Sequence, residues 1–190
     1  MSQRNTFIRS LHDLGLAAWF GGSLMGAVGL NGAAEEEGGT EQVRARISSS
    51  GWAKWTPVNA AAIGAHLFGG GGLLAANAHR VATQKGVGAS TTVKTAVTAA
   101  ALAATAYARV LGKKIEMASS PDPRVAEQAE KHPIDVNKAQ RQLAYVQWAV
   151  PALTGCLVVL NALHGEQQRP GEQLHGMWDR ARSAAPFMSC

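Results

Sequence analysis

LGLAAWFGGSLMGAVGLNGAA, residues 14–34, runs for 21 positions without a charged side chain. A helix rises about 1.5 Å per residue and the hydrocarbon core of a bilayer is about 30 Å thick, so about 20 apolar residues suffice to cross it. Three more stretches share this character: Trp55 to Ala78, Thr95 to Ala108 and Gln142 to Gly165. Each is rich in Ala, Gly, Leu and Val, and the charges collect between them. The pattern predicts an all-α, integral-membrane four-helix bundle with short surface helices in its loops. Spans are expected over about residues 10–31, 56–78, 91–111 and 142–164, in a single membrane domain (1–190) with a polar C-terminal tail at 166–190.

The mean hydropathy of −0.05 is low for such a protein, and it has two sources. The segments at Glu35 to Glu37, Lys113 to Arg141 and Glu166 to Arg182 are strongly polar. The spans themselves use Ala and Gly where Leu and Ile are usual. Ala is nearly neutral toward insertion, so the third span depends on helix packing to stay in place. A soluble bundle of Ala-rich helices is the competing reading of the same numbers.

The net charge of +5 is spread through the loops. Lys and Arg alternate with Asp and Glu, without aromatic interleaving, which argues against nucleic acid as a partner. Anionic lipid headgroups account for the basic balance. The expected partners are the lipid bilayer and either other membrane subunits or further copies of the chain. Cys156 lies inside the fourth stretch and Cys190 is the last residue, so both read as free thiols. Arg4 and Arg9 precede the first stretch in the manner of a signal peptide. That stretch is too long for an h-region and runs straight into three glutamates, so it reads as a retained span.

Local signals refine the boundaries. Gly22 and Gly26 form a G-x-x-x-G pair, which puts two glycines on one helix face and lets another backbone approach. Ser48 to Gly51 is expected to break a short surface helix at 41–47. Trp52 and Trp55 flank Lys54 as interfacial anchors, and Pro57 suits a first helical turn, so the second span is expected to start near Trp55 or Thr56. Gly69, Gly70, Gly71 and Gly72 mark either a kink or a crossing of two backbones. A loop is expected at 84–90. In the third span Thr91, Thr92, Thr95, Thr98 and Thr105 are expected to return their hydroxyls to the backbone. Asp122 or Pro123 opens a charged helix to about His132, and Asp135 to Arg141 leads into the fourth span, which Pro151 interrupts. A short helix is expected within 172–185.

Consecutive spans joined by short loops run antiparallel, which brings His12, His79 and His164 to one membrane face with Asp13 beside the first. Three imidazoles and a carboxylate are a ligand set for zinc or copper. His66 stands apart near the middle of its span, where an ionisable side chain is costly and marks function by default. It reads as a haem ligand, a proton relay or a neutral histidine bonded to a neighbouring helix. No other span offers a histidine at its depth. Lys and Arg near the span ends favour the side of the two longer loops, which places those loops in the cytoplasm and both termini on the extracytoplasmic side.

Leu11-His12-Asp13-Leu14-Gly15 followed by Ala18-Trp19-Phe20-Gly21-Gly22 resembles the opening span of small bacterial membrane families, among them copper-resistance-D-like domains. The Ala and Gly usage resembles that of actinobacterial-type proteins. The resemblance implies a multi-span protein of the bacterial inner (plasma) membrane and adds weight to His12 as a copper ligand. Without a catalytic constellation or a cofactor signature, the expected function is that of a non-catalytic accessory or scaffolding subunit. A metal- or haem-binding membrane protein and a small oligomeric transporter or channel are the alternatives.

Overall fold

A computed structural model describes residues 5–83, 85–120, 122–130 and 135–167. Among them the chain is all-α. Helix α1 (Thr6–Met25) passes through a π-helical turn (Gly26–Leu30) into α2 (Asn31–Glu37). There follow α3 (Glu41–Ala76), α4 (Ala78–Thr83), α5 (Lys85–Ala118), α6 (Pro123–Glu130) and α7 (Val136–Gln167). Four of the resulting rods are long and apolar enough to cross a membrane: Thr6–Glu37, Glu41–Ala76, Val87–Ala118 and Val136–Leu163. The residues expected to form a helix within 172–185, and Cys190, lie outside the described residues.

Side-chain chemistry sets the helix ends. Gly39, at φ +54°, turns the chain between α2 and α3, a conformation that a Cβ disfavours. Thr40 then caps α3, its Oγ1 accepting from the Val43 N–H at 3.3 Å. Asn77 ends α3 by donating from Nδ2 to the Leu73 carbonyl at 2.8 Å. Asp122 and Asp135 accept from the Arg124 and Lys138 amides, both at 2.9 Å, and start α6 and α7.

Helix α3 departs from the sequence-based expectation. It begins at Glu41, not near Trp55, and absorbs the expected short helix, the Ser48–Gly51 break and Pro57. Ser49 bonds back to the Arg46 carbonyl and Thr56 to that of Trp52. Gly51 sits under the Leu30 side chain, so packing against the preceding rod offsets the weak propensity of this stretch. The expected loop at 84–90 likewise contracts, since α5 starts at Lys85. All five threonines of α5 return their hydroxyls to carbonyls four residues earlier, at 2.8–3.1 Å.

The rods pack in the order α3, α1, α7, α5, and the fourth side of the square, between α3 and α5, closes only thinly. One core layer takes a residue from each: Trp19, Ala62, Ala101 and Val150, with Ile63, Leu102, Ala104 and Leu153 around it. A second small core joins α5 to α7 through Leu111, Ile115, Ala139 and Leu143. Leu16 and Leu157 are buried as well, whereas many large apolar side chains point outward, including Phe7, Leu14, Met25, Phe68, Val110, Tyr145 and Val159.

Glycine controls the closest contact, α1 on α3. A Cβ at Gly69 would stand 2.5 Å from the His12 nitrogen and 2.7 Å from the Ile8 carbonyl, whereas Gly71 has nothing within 4 Å. Gly70 and Gly72 meet the His12 ring and the Ile8 side chain. The helix continues through all four glycines without a break. Gly69→Ala is therefore expected to lower the stability of the purified protein by about 1–3 kcal/mol through overpacking. Gly71→Ala, one turn position away on the open side, should raise it by about 0.5–1 kcal/mol through helix propensity. Thermal unfolding of the two variants checks the opposite signs.

Candidate functional site

The α1–α3 crossing carries the polar centre of the bundle. It is built from one tetrapeptide pattern used twice, His12-Asp13-Leu14-Gly15 on α1 and His66-Leu67-Phe68-Gly69 on α3. In each helix the glycine follows the histidine by three residues and so lies on the same face. Because the helices run antiparallel, each glycine faces the backbone of the other helix's histidine. A Cβ on Gly15 would lie 2.5 Å from the His66 nitrogen, mirroring Gly69 against His12.

This proximity brings the imidazoles together. Their centroids are 4.1 Å apart and their planes 21° from parallel. His12 Nδ1 donates to the His66 carbonyl at 2.9 Å, and His66 Nδ1 donates to the His12 carbonyl at 3.1 Å. A carbonyl oxygen only accepts, so both rings carry their proton on Nδ1. The bonds extend the pair to the other two rods. Lys94 Nζ donates to Asn161 Oδ1 at 3.4 Å, and Asn161 Nδ2 faces His12 Nε2 at 3.5 Å. That order fixes the Asn161 amide and leaves His12 Nε2 as an acceptor. The Trp19 ring meets His66 edge-on at 6.1 Å. His66 is 3% exposed, and His12 is half-buried.

A second polar chain crosses the bundle about five turns further along the first rod, at the start of α2. Trp52 Nε1 donates to Asn31 Oδ1 at 3.1 Å, and Asn31 Nδ2 donates to Gln147 Oε1 at 2.7 Å. Trp19 Nε1 donates to Thr105 Oγ1 at 3.2 Å and ties α1 to α5. The Gly22/Gly26 pair serves this region. It receives the Trp55 and Trp52 rings in the space where two Cβ atoms would be, so the approach it permits is by indoles and not by a bare backbone.

The candidate ligands from sequence lie on three helices. His12 and Asp13 are on α1, with Asp13 exposed, while His79 is exposed on α4. His164 belongs to the α7 backbone, and its side chain lies outside the described residues. Among the described residues, no three His, Cys, Asp or Glu side chains converge on a point that would hold a metal. The expectation that His66 lacks a histidine at its own depth is corrected: α1 is helical from Thr6, and its antiparallel register sets His12 directly against His66. Face-to-face rings at this spacing leave no room for a macrocycle between them, and the two reciprocal bonds make the pair a lock between α1 and α3.

Comparison with known proteins found no family model, no curated relative and no solved structure that matches the chain. The chemistry of the site therefore rests on its geometry. A double-mutant cycle tests the lock. His12→Ala and His66→Ala are each expected to cost about 1–3 kcal/mol, from a lost hydrogen bond and a lost ring contact. The double variant should cost clearly less than the sum. In ¹⁵N NMR both imidazoles should report a protonated Nδ1.

Proposed function

We propose that this chain is a multi-pass protein of the bacterial inner membrane, a non-catalytic four-helix bundle that serves as an accessory or scaffolding subunit for other membrane proteins. The observation that carries the membrane reading is the distribution of polarity. Phe7, Leu14, Met25, Phe68, Val110, Tyr145 and Val159 face outward, while the imidazole, amide and indole hydrogen bonds face inward and join one helix to another. No more than 33% of any of the four apolar windows is buried within the bundle. Water would leave this surface unsatisfied; lipid solvates it.

Helix length supports a definite placement. The 36 residues of α3 span about 54 Å, against about 30 Å of hydrocarbon. The excess belongs to the end that carries Arg44, Arg46, Arg109, Lys113, Lys114, Lys138 and Arg141. Among the described side chains the opposite end carries fewer cations, Arg9 and Lys94. The positive-inside tendency then puts the cationic extension in the cytoplasm and the N-terminus of α1 on the extracytoplasmic side.

The subunit reading rests on the outer face of α3. Gly64 and Gly71 are two turns apart, exposed, and open to 4 Å, with Phe68 between them. Small residues on a lipid-facing surface let a further helix pack closely, where dispersion and not hydrophobicity supplies the attraction. A transporter would be favoured by a helix interrupted at its glycines, but α3 is continuous there.

Extraction from native membranes tests both parts. The chain should stay in the membrane fraction until detergent is added, and in mild detergent it should migrate with partners or as an oligomer. Gly64→Leu with Gly71→Leu should release it as a folded monomer, because neither position touches the rest of the bundle. A wild-type chain that is already monomeric in mild detergent overturns the subunit role, and recovery without detergent overturns the membrane reading.

A further inference from the structure

The half of the bundle away from the histidines is hollow. A cavity of about 780 Å³ separates α3 from α5, within the range of small-molecule sites. It reaches from Glu41 and Arg44 down to Ile63, which is 22 residues or about 33 Å along α3. Its mouth carries Glu35 and Glu41 together with Arg44 and Arg109, all exposed. Two charges of each sign give the entrance no net preference for an anion or a cation.

Selectivity therefore falls on the deep end. Ile63, Leu102 and Val150, members of the central core layer, form the floor. One turn above it, Trp55 Nε1 and Asn59 Oδ1 are both shielded from solvent, line the cavity and have no hydrogen-bond partner. They sit four residues apart on α3, so they are neighbours on one face. One is a donor only and the other an acceptor only. Leaving both unsatisfied is costly, and one group that accepts from the indole and donates to the amide relieves both. A hydroxyl does this; an ether or an ester carbonyl satisfies the indole alone. Trp52, already bonded to Asn31, lends a flat apolar wall beside them.

We propose that this cavity binds an apolar molecule of the lipid class that carries a hydroxyl, such as a long-chain or isoprenoid alcohol, with its oxygen between Trp55 and Asn59. The proposal goes beyond the subunit role and does not depend on it, since the site lies inside one chain. The probe is a C16 primary alcohol carrying a diazirine next to the hydroxyl, added to the protein in phosphatidylcholine vesicles. Photolabelling should map to the Trp55–Ile63 and Leu102–Arg109 segments. Unlabelled hexadecanol should compete about tenfold better than its methyl ether, which accepts but cannot donate. Asn59→Leu should erase that preference while unfolding temperature and helix content stay near wild type. Asn59→Ser, which keeps an oxygen acceptor, should restore part of it. Labelling spread over the outer faces, or equal competition by alcohol and ether, would overturn the proposal; the latter is the result expected if water bridges the pair. These readouts do not change if the chain proves monomeric, so failure of the subunit reading remains separable.

Discussion

The absence of two methyl-sized groups, at Gly15 and Gly69, sets the geometry of everything else in the bundle. Only where both Cβ atoms are missing do the α1 and α3 backbones come near enough for an imidazole on one helix to reach a carbonyl on the other. Those carbonyls already accept within their own helices and use a second lone pair here, so the lock costs no helical hydrogen bond. The two histidines then turn a close crossing into a specified one. A shift by one residue would replace His12 with Leu11 or Asp13 and lose both inter-helix bonds together.

Burying histidine, lysine and asparagine among apolar helices is costly unless each finds a partner. Five polar side chains are answered from a different rod: His66 by α1, His12 by α3 and α7, Asn161 by α5, Trp19 by α5, Asn31 by α3 and α7. Such bonds do for this bundle what a large apolar core does for a soluble one. The core is small, chiefly alanine around Trp19, and leaves the outer leucines, valines and phenylalanines outside. A bundle whose specificity is polar and internal, and whose apolar surface is external, is compatible with the proposed placement in a solvent without hydrogen-bonding capacity.

Much of the architecture was legible in the sequence, because the signals were long or local. The four uncharged stretches gave the four rods. The threonines of α5 gave their own back-bonding, and Asp122 and Asp135 gave helix starts. What was not legible depended on contacts between elements. Ser48–Gly51 and Pro57 carry strong local signals for a break, and these lost to Leu30 over Gly51 and to the indoles seated on α1. His12 looked peripheral because it precedes its apolar stretch, but α1 begins at Thr6, ahead of that stretch, and its register against α3 brings His12 level with His66. The signal that would have found the pair was present: His-x-x-Gly occurs in both helices, and in antiparallel helices such a repeat is self-complementary.

The same two helices also explain why the bundle is tight at one end and hollow at the other. At the histidine end, glycine meets backbone on both sides of the crossing. Further along the first rod, at Gly22 and Gly26, the glycines are met not by backbone but by Trp55 and Trp52 of α3. An indole is several ångströms deeper than a bare Cα, so here the two rods meet through a layer of side chains. The π-helical turn at Gly26–Leu30 adds one residue per turn where Trp52 packs, and brings Asn31 round to take the indole proton. Trp52 thereby closes the wall. Trp55, one turn deeper, reaches no such partner and keeps its N–H directed at the space that the pair of wedges has opened. The cavity and its unpartnered donor thus have one origin, in the change from glycine-on-glycine to glycine-on-tryptophan along a single helix pair.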